Sequence, residues 1–152
     1  MAKFLMDETI HSEKVTTARM GGSGANKFTD AENGKAVILA AESQYGLTAD
    51  GSAIEGFVSS VNSGATYDGF AVGGVVATGT KRVLVSGATL AVGDYVVSAA
   101  PVALGTKLTT YAPVKKAADQ AVAAAAPFKW RVVSRGAAGT GAAGTWVLIE
   151  RV

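Results

Sequence analysis

Residues Gly139–Gly144 read GTGAAG and match G-x-G-x-x-G, the pattern by which a glycine-rich turn cradles a pyrophosphate at a helix N-terminus. That chemistry needs a strand before the turn, a helix after it, and an acid about 20 residues further on for the ribose. FKWRVVSR (Phe128–Arg135) supplies the strand. TWVLIERV (Thr145–Val152) is β-branched and aromatic and reads as a second strand, and only eight residues follow Gly144. The longer stretch RGAAGTGAAGTW carries GAAGT twice, so repetition explains the match. The segment is expected to be a flexible small-residue hairpin tip that lies flat against a neighbour.

Other chemistry-bearing residues are few. His11 is the one histidine, and no G-x-S-x-G elbow stands anywhere in the chain. With no cysteine, disulfides, zinc-thiolate centres and thiol nucleophiles are excluded. Asp30 and Glu32 flank Ala31, and Asp50 and Glu55 bracket a turn, but neither set follows the calcium-loop pattern. Asp50, Asp68 and Asp94 each adjoin a glycine, where turn chemistry explains them. No G-x-x-x-x-G-K-[ST] loop is present. Tyr45, Tyr67, Tyr95, Tyr111, Trp130 and Trp146 are spread along the chain, without the basic, aromatic-lined groove that nucleic acid requires. The expectation is no enzyme, no cofactor and no metal, hence no catalytic, cofactor-binding or metal-ligating residue.

The elements around these residues read as strands. Ala36–Ala41 (AVILAA) is an apolar run of strand length. Ala53–Val61 follows the Asp50-Gly51 turn, with Ile54, Gly56 and Val58 on one face and Glu55, Phe57 and Ser59 on the other. GFAVGGVVATG, KRVLVSG, DYVVSA and TKLTTY supply further short β-rich runs, with turn signals about every 8–12 residues. In Phe128–Arg135, Phe128, Trp130 and Val132 share one face, opposite Lys129, Arg131, Val133 and Arg135. This strand is expected to pair with Trp146–Ile149 as an antiparallel hairpin across Gly136–Gly144, the latter a central strand covered on both sides. Val114–Ala126 breaks the rhythm. Bracketed by Pro113 and Pro127 and rich in Ala, it reads either as a short helix, with Val114, Ala117, Ala118, Ala121, Val122 and Ala125 on one apolar stripe, or as an irregular crossover. The fold class is all-β: a small antiparallel β-barrel or sandwich with an extended N-terminal arm and room for one short Ala-rich helix.

Residues 1–35 show no clear period and carry GGSG at Gly21–Gly24. Their sparse apolar groups cannot offset backbone ordering at ~1–2 kcal/mol per residue, so the segment reads either as an arm that orders against a partner or as a plain disordered terminus. The expected organisation is an arm over 1–35 and a β domain over 36–152. Phe4-Leu5-Met6, followed at once by Asp7 and Glu8, is too short for a secretory signal, and no segment nears the ~20 apolar residues of a membrane span. Synthesis in a cytoplasm and no membrane or nucleic-acid partner are therefore expected. Net charge is +2, and 17% of the residues are charged against roughly 25% in typical domains. Residues 1–76 hold five basic and nine acidic side chains (net −4), and residues 77–152 hold nine and three (net +6).

Five stretches, FTDAENGKAVILA (Phe28–Ala40), LTADGSAIEGFVSSV (Leu47–Val61), YDGFAVGGV (Tyr67–Val75), LAVGDYVVSA (Leu90–Ala99) and FKWRVVS (Phe128–Ser134), together resemble the head decoration, or cement, proteins of tailed bacteriophages. The resemblance spans about residues 28–152. It implies a non-enzymatic protein of the virion, on the outer capsid surface, that stabilises the assembled shell. It further implies the major capsid protein and the chain itself, as homodimer or homotrimer, as partners. Arm residues Phe4, Leu5, Ile10, Val15, Arg19 and Phe28 would be the capsid contacts. The competing expectation is a carbohydrate-binding or host-attachment β module, with Trp130 or Trp146 stacking on sugar rings.

Overall fold

The computed structural model describes residues 15–22, 24–42, 44–62, 69–100, 112–136 and 139–152. Its ten strands are β1 (Val15–Met20), β2 (Ala36–Ala41), β3 (Gln44–Leu47), β4 (Gly56–Asn62), β5 (Ala71–Val76), β6 (Thr80–Val85), β7 (Tyr95–Ser98), β8 (Pro113–Lys116), β9 (Trp130–Ser134) and β10 (Trp146–Arg151). They close into two barrels, β1-β3-β2-β4-β5 and β10-β6-β8-β7-β9. The fold is all-β, as expected, but the β region is two barrels rather than one. The change falls between Val76 and Thr80. Most ladders are antiparallel; β1 with β3, and β6 with β8, run parallel. The expected strand in Thr106–Tyr111 lies outside the described residues.

The arm boundary at residue 35 is corrected. Val15–Met20 pairs along its whole length with β5, from Val15↔Val76 to Met20↔Ala71, and meets β3 at Arg19↔Gln44 and Met20↔Tyr45. Met20 and Phe28 are buried in the first barrel's core with Val37, Tyr45, Val58, Ala71 and Val75. Directly after Phe28, Thr29 caps a 3₁₀ turn at Asp30–Glu32: its hydroxyl accepts from the Ala31 N–H, and its own N–H donates to Glu32 Oε2 at 2.7 Å. A chain with few apolar groups is ordered here because both edges of β1 are hydrogen-bonded and two large side chains are buried. Residues 1–14 lie outside the described residues.

The two barrels share one ladder plan, strand for strand, with β1–β5 matching β6–β10 in order. Ala36↔Phe57 and Val37↔Gly56 in the first barrel correspond to Tyr95↔Arg131 and Val96↔Trp130 in the second. Val58↔Val75 and Ser60↔Gly74 skip Ser59; Val132↔Ile149 and Ser134↔Leu148 skip Val133, so the bulge recurs at the same place. Leu39↔Tyr45 and Val37↔Leu47 correspond to Ser98↔Val114 and Val96↔Lys116. The turn entering the second strand also repeats. Gly34 N–H donates to Val58 O and Gly93 N–H to Val132 O, both at 2.8 Å. Gly34 and Gly93 adopt φ of 82° and 94°, a region that glycine enters without the Cβ penalty. The chain is a tandem structural repeat. The sequence retains it faintly, as GKAVILAA (Gly34–Ala41) beside GDYVVSAA (Gly93–Ala100) and as Ala49-Asp50 beside Ala118-Asp119.

Alternation of side chains along β2 and β4 joins the barrels. Val37 and Val58 point into the first core, while their neighbours Ala36 and Phe57 join the second core with Ile54, Val83, Val96, Trp130, Val132 and Ile149. The shared sheet thus has an apolar face on each side. Trp130 is 1% exposed; its ring meets Phe57 edge-on, centroids 5.0 Å apart at 81°, and its Nε1 donates to Ile54 O at 3.1 Å. Arg151 Nη1 donates to Glu55 O at 2.7 Å and Ala77 O at 3.0 Å, and its guanidinium lies 4.9 Å from the Phe128 ring centroid. Glycine stands at the position in the first barrel that matches Trp130: a Cβ on Gly56 would lie 2.5 Å from Val75 Cγ1 and 2.7 Å from Val76 O.

The Ala-rich segment is divided. Pro113–Lys116 is β8, and only Gln120–Ala125 is helical, as α1. Val114, expected on a helical stripe, is fully buried in the second core through its ladder with β7. The hairpin of Phe128–Ser134 with Trp146–Ile149 forms as expected. β10 lies between β9 and β6, but only Val147 and Ile149 are buried, so one face is covered rather than two.

Because Trp130 fills the second core and packs there on Phe57 of the first barrel's β4, Trp130→Ala is expected to destabilise the protein by ~3–5 kcal/mol, read from urea unfolding. Trp130→Phe retains most of the packing and leaves the Ile54 carbonyl unpaired, for a loss of ~1–3 kcal/mol. A loss under ~1 kcal/mol for the alanine variant would show that the seam does not hold the barrels together.

Candidate functional site

A pocket of about 420 Å³ opens beside α1, between that helix, β7, β8 and the loop that joins β3 to β4. Its floor is apolar, with Val97, Val122, Ala123 and Phe128, and Lys115, Lys116 and Lys129 stand around it. Asp119 starts the helix: its carboxylate accepts the N–H groups of Ala121 and Val122 at 2.9 and 3.0 Å, satisfying two of the donors a helix start leaves free. Gln120 ties α1 to the barrel as a strand would. Its Oε1 accepts the Tyr95 N–H at 2.7 Å, and its Nε2 donates to Tyr95 O at 2.9 Å and Ala117 O at 3.0 Å. Lys129 Nζ donates to Ala124 O at 2.7 Å and closes the other end. A helix this short is not stable alone; side chains of the barrel and of its own flanks hold it.

The cations of the rim are paired. Lys115 Nζ lies 2.6 Å from Asp50 Oδ2, across the seam between the barrels, and Lys116 Nζ lies 2.9 Å from Asp94 Oδ1. The Lys115 ammonium and the Ala100 N–H hold the Asp50 carboxyl below its ordinary pKa. Burial pushes Asp94 up, but Lys116 and the Ala91 N–H outweigh it and the net shift is downward. The arrangement fits an apolar side chain whose neighbours are polar or acidic. Among the described residues no group of three or more His, Cys, Asp or Glu side chains could hold a metal.

The structure places the sequence-derived residues as follows. Phe4, Leu5, Ile10 and His11 lie outside the described residues. Val15 is 54% exposed at the start of β1. Arg19 is exposed, its guanidinium 4.9 Å from the Phe70 ring centroid. Phe28 is corrected as a surface contact: it is a core residue, 6% exposed. The two candidate sugar platforms fare no better. Trp130 is buried. Trp146 is half-buried, with Arg82 4.6 Å from its ring centroid and the Gly136 backbone so close that a Cβ there would lie 3.2 Å from ring atoms. Gly139–Gly144 leads into β10 and not into a helix. It lies against its own barrel: the Leu90 N–H donates to Gly141 O and the Gly144 N–H to Val85 O, at 2.8 and 2.9 Å.

The residues that build the pocket carried no motif. Gln120, Val122 and the lysines of β8 sat inside an Ala-rich run read as a short helix or an irregular crossover. The one available signal was Ala118-Asp119 repeating Ala49-Asp50, which places the helix where the first barrel has a plain turn. No helix among the described residues is long and apolar enough to cross a membrane. Comparison with protein-family models, curated proteins and solved structures returns no match.

Both lowered carboxyls bind protons more weakly folded than unfolded. Their contribution to stability is therefore complete above the ordinary carboxylate pKa of about 4 and is lost as pH falls through the lowered folded value. Tm is expected to fall as pH drops from about 5 to about 2, and to fall less steeply in an Asp50→Asn, Asp94→Asn double variant. An unchanged slope would remove the two lysine pairs from the acid response.

Proposed function

We propose that this chain is a structural protein of a bacteriophage virion that decorates the outer surface of the head and stabilises the assembled shell by binding the major capsid protein. The observation that carries the reading is the tandem repeat held rigid at Trp130. It joins two similar barrels at a fixed separation, a form suited to bridging subunits of a shell whose surface repeats. A protein that binds the assembled shell and not free subunits shifts assembly by mass action, and many copies per particle multiply a modest contact. The resemblance of five stretches to head decoration proteins points the same way. Residues 1–14, with Phe4, Leu5 and Ile10, precede the exposed Val15 of β1 and are the part of the expected arm left to reach a capsid subunit.

The test mixes purified protein with capsids lacking it. Co-sedimentation at a fixed stoichiometry and a rise in capsid melting temperature are expected; absence of both overturns the reading. Removing residues 1–14, and not beyond Lys14, is expected to weaken binding about tenfold or more while leaving the far-ultraviolet dichroism intact. Unchanged affinity would remove the arm from the interface.

A further inference from the structure

The seam between the barrels shows a contact whose two halves both recur in the repeat. Within the chain, the end of β7 docks on the β3–β4 loop. Gly51 N–H donates to Ser98 O at 2.8 Å, Ser98 N–H to Ser52 O at 2.9 Å, and Ala100 N–H to Asp50 Oδ1 at 2.9 Å, while the Thr48 and Ser98 hydroxyls lie 2.6 Å apart. By the shared register, Ser98–Ala100 of the second barrel corresponds to Leu39–Ala41 of the first. Carried on by the same register, Thr48–Asp50 corresponds to Ala117–Asp119. The first barrel's strand end keeps one such bond within its own barrel, the Leu39 N–H donating to Glu55 Oε2 at 3.0 Å, and among the described residues no strand end docks on the second barrel's loop.

Both orphaned surfaces look unfinished. Leu39, Ala40, Ala41 and Glu42 are all exposed. Leu39 at 50%, the nearby Leu47 at 48% and Val122 of α1 at 67% are three of the large hydrophobics left open to solvent. The receptor carries the apolar pocket beside α1. Charge favours joining the two: residues 15–76 hold three basic and six acidic side chains, residues 80–151 nine and three.

We propose that a second copy of this chain docks by Leu39–Glu42 into the groove beside α1, with Leu39 in the apolar pocket against Val122. The contact is head-to-tail: each copy offers one strand end and one groove, so copies close into a ring or extend in a row. It is smaller than the internal seam. The row Ala36, Phe57 and Val76 that the second barrel covers has Tyr95, Arg131 and Glu150 as its counterparts, and Arg131 is ion-paired with Glu150 at 2.7 Å. The opposite net charges of residues 15–76 and 80–151 make association sensitive to salt.

Sedimentation velocity on the full chain, over a concentration series at low and high salt, tests this independently of capsid binding. Self-association that weakens with salt is expected. Leu39→Asp and Val122→Asp each alter an exposed side chain and are expected to weaken association about tenfold or more with unchanged dichroism and Tm. Leu39→Asp retains an intact groove and Val122→Asp an intact strand end, so an equimolar mixture is expected to form dimers and nothing larger. A wild type that stays monomeric, variants that associate as before, or a mixture that stays monomeric overturns the proposal. A monomer that still co-sediments with capsids would leave the decoration reading standing.

Discussion

The structure depends on one indole. Trp130 belongs to β9 of the second barrel, yet its ring packs on Phe57 and its N–H ends on the Ile54 carbonyl, both from the first. Five-stranded barrels this small enclose few side chains, and each barrel alone would leave an apolar outer face in water. The indole covers that face and fills the second core at once. Aromatic pairs of this geometry contribute about 0.5–1.5 kcal/mol beyond the area they bury. The hydrogen bond matters because an indole N–H buried without an acceptor is costly. Gly56, at the matching place in the first barrel, completes the logic, since a side chain there would strike Val75.

The repeat and its divergence explain the rest of the architecture. Ladder registers, the bulges at Ser59 and Val133, and the glycine turns at Gly34 and Gly93 are held in common because backbone hydrogen bonding sets them. The outward rows differ because each faces a different medium. Ala36, Phe57 and Val76 face the other barrel; Tyr95, Arg131 and Glu150 face outward and are half-exposed. The five residues by which the second barrel's β8–β9 connection exceeds its counterpart become α1, which partly covers the face that a barrel covers in the first.

How far the sequence was legible follows from what each segment depends on. AVILAA, KRVLVSG, DYVVSA and FKWRVVSR announced themselves because alternation and β-branching reflect a half-buried pleat, and those strands formed. Val15–Met20 did not, because VTTARM buries only Met20 fully and is held by ladders on both edges, which a side-chain pattern does not record. Val114 was assigned to a helical stripe by its Ala-rich surroundings, and its pairing with Ser98 made it a strand residue instead. The pocket was illegible because Gln120, Val122 and the lysines of β8 acquire meaning only when β7, β8 and α1 lie side by side.

Local chemistry by itself determined the all-β class, the turns at Asp50-Gly51 and Gly93-Asp94, the last hairpin, and the structural nature of GTGAAG, since each rests on interactions between segments neighbouring in sequence. Tertiary structure alone decided that the β region is two barrels, that Met20 and Phe28 are core, and that Trp130 is a joint rather than a sugar platform. The physical reason is the same in each case. A closed barrel is specified by pairings between strands distant in sequence, and the repeat had drifted in its outward-facing row, Ala36, Phe57 and Val76 against Tyr95, Arg131 and Glu150, while the backbone registers, which leave little trace in residue type, stayed the same.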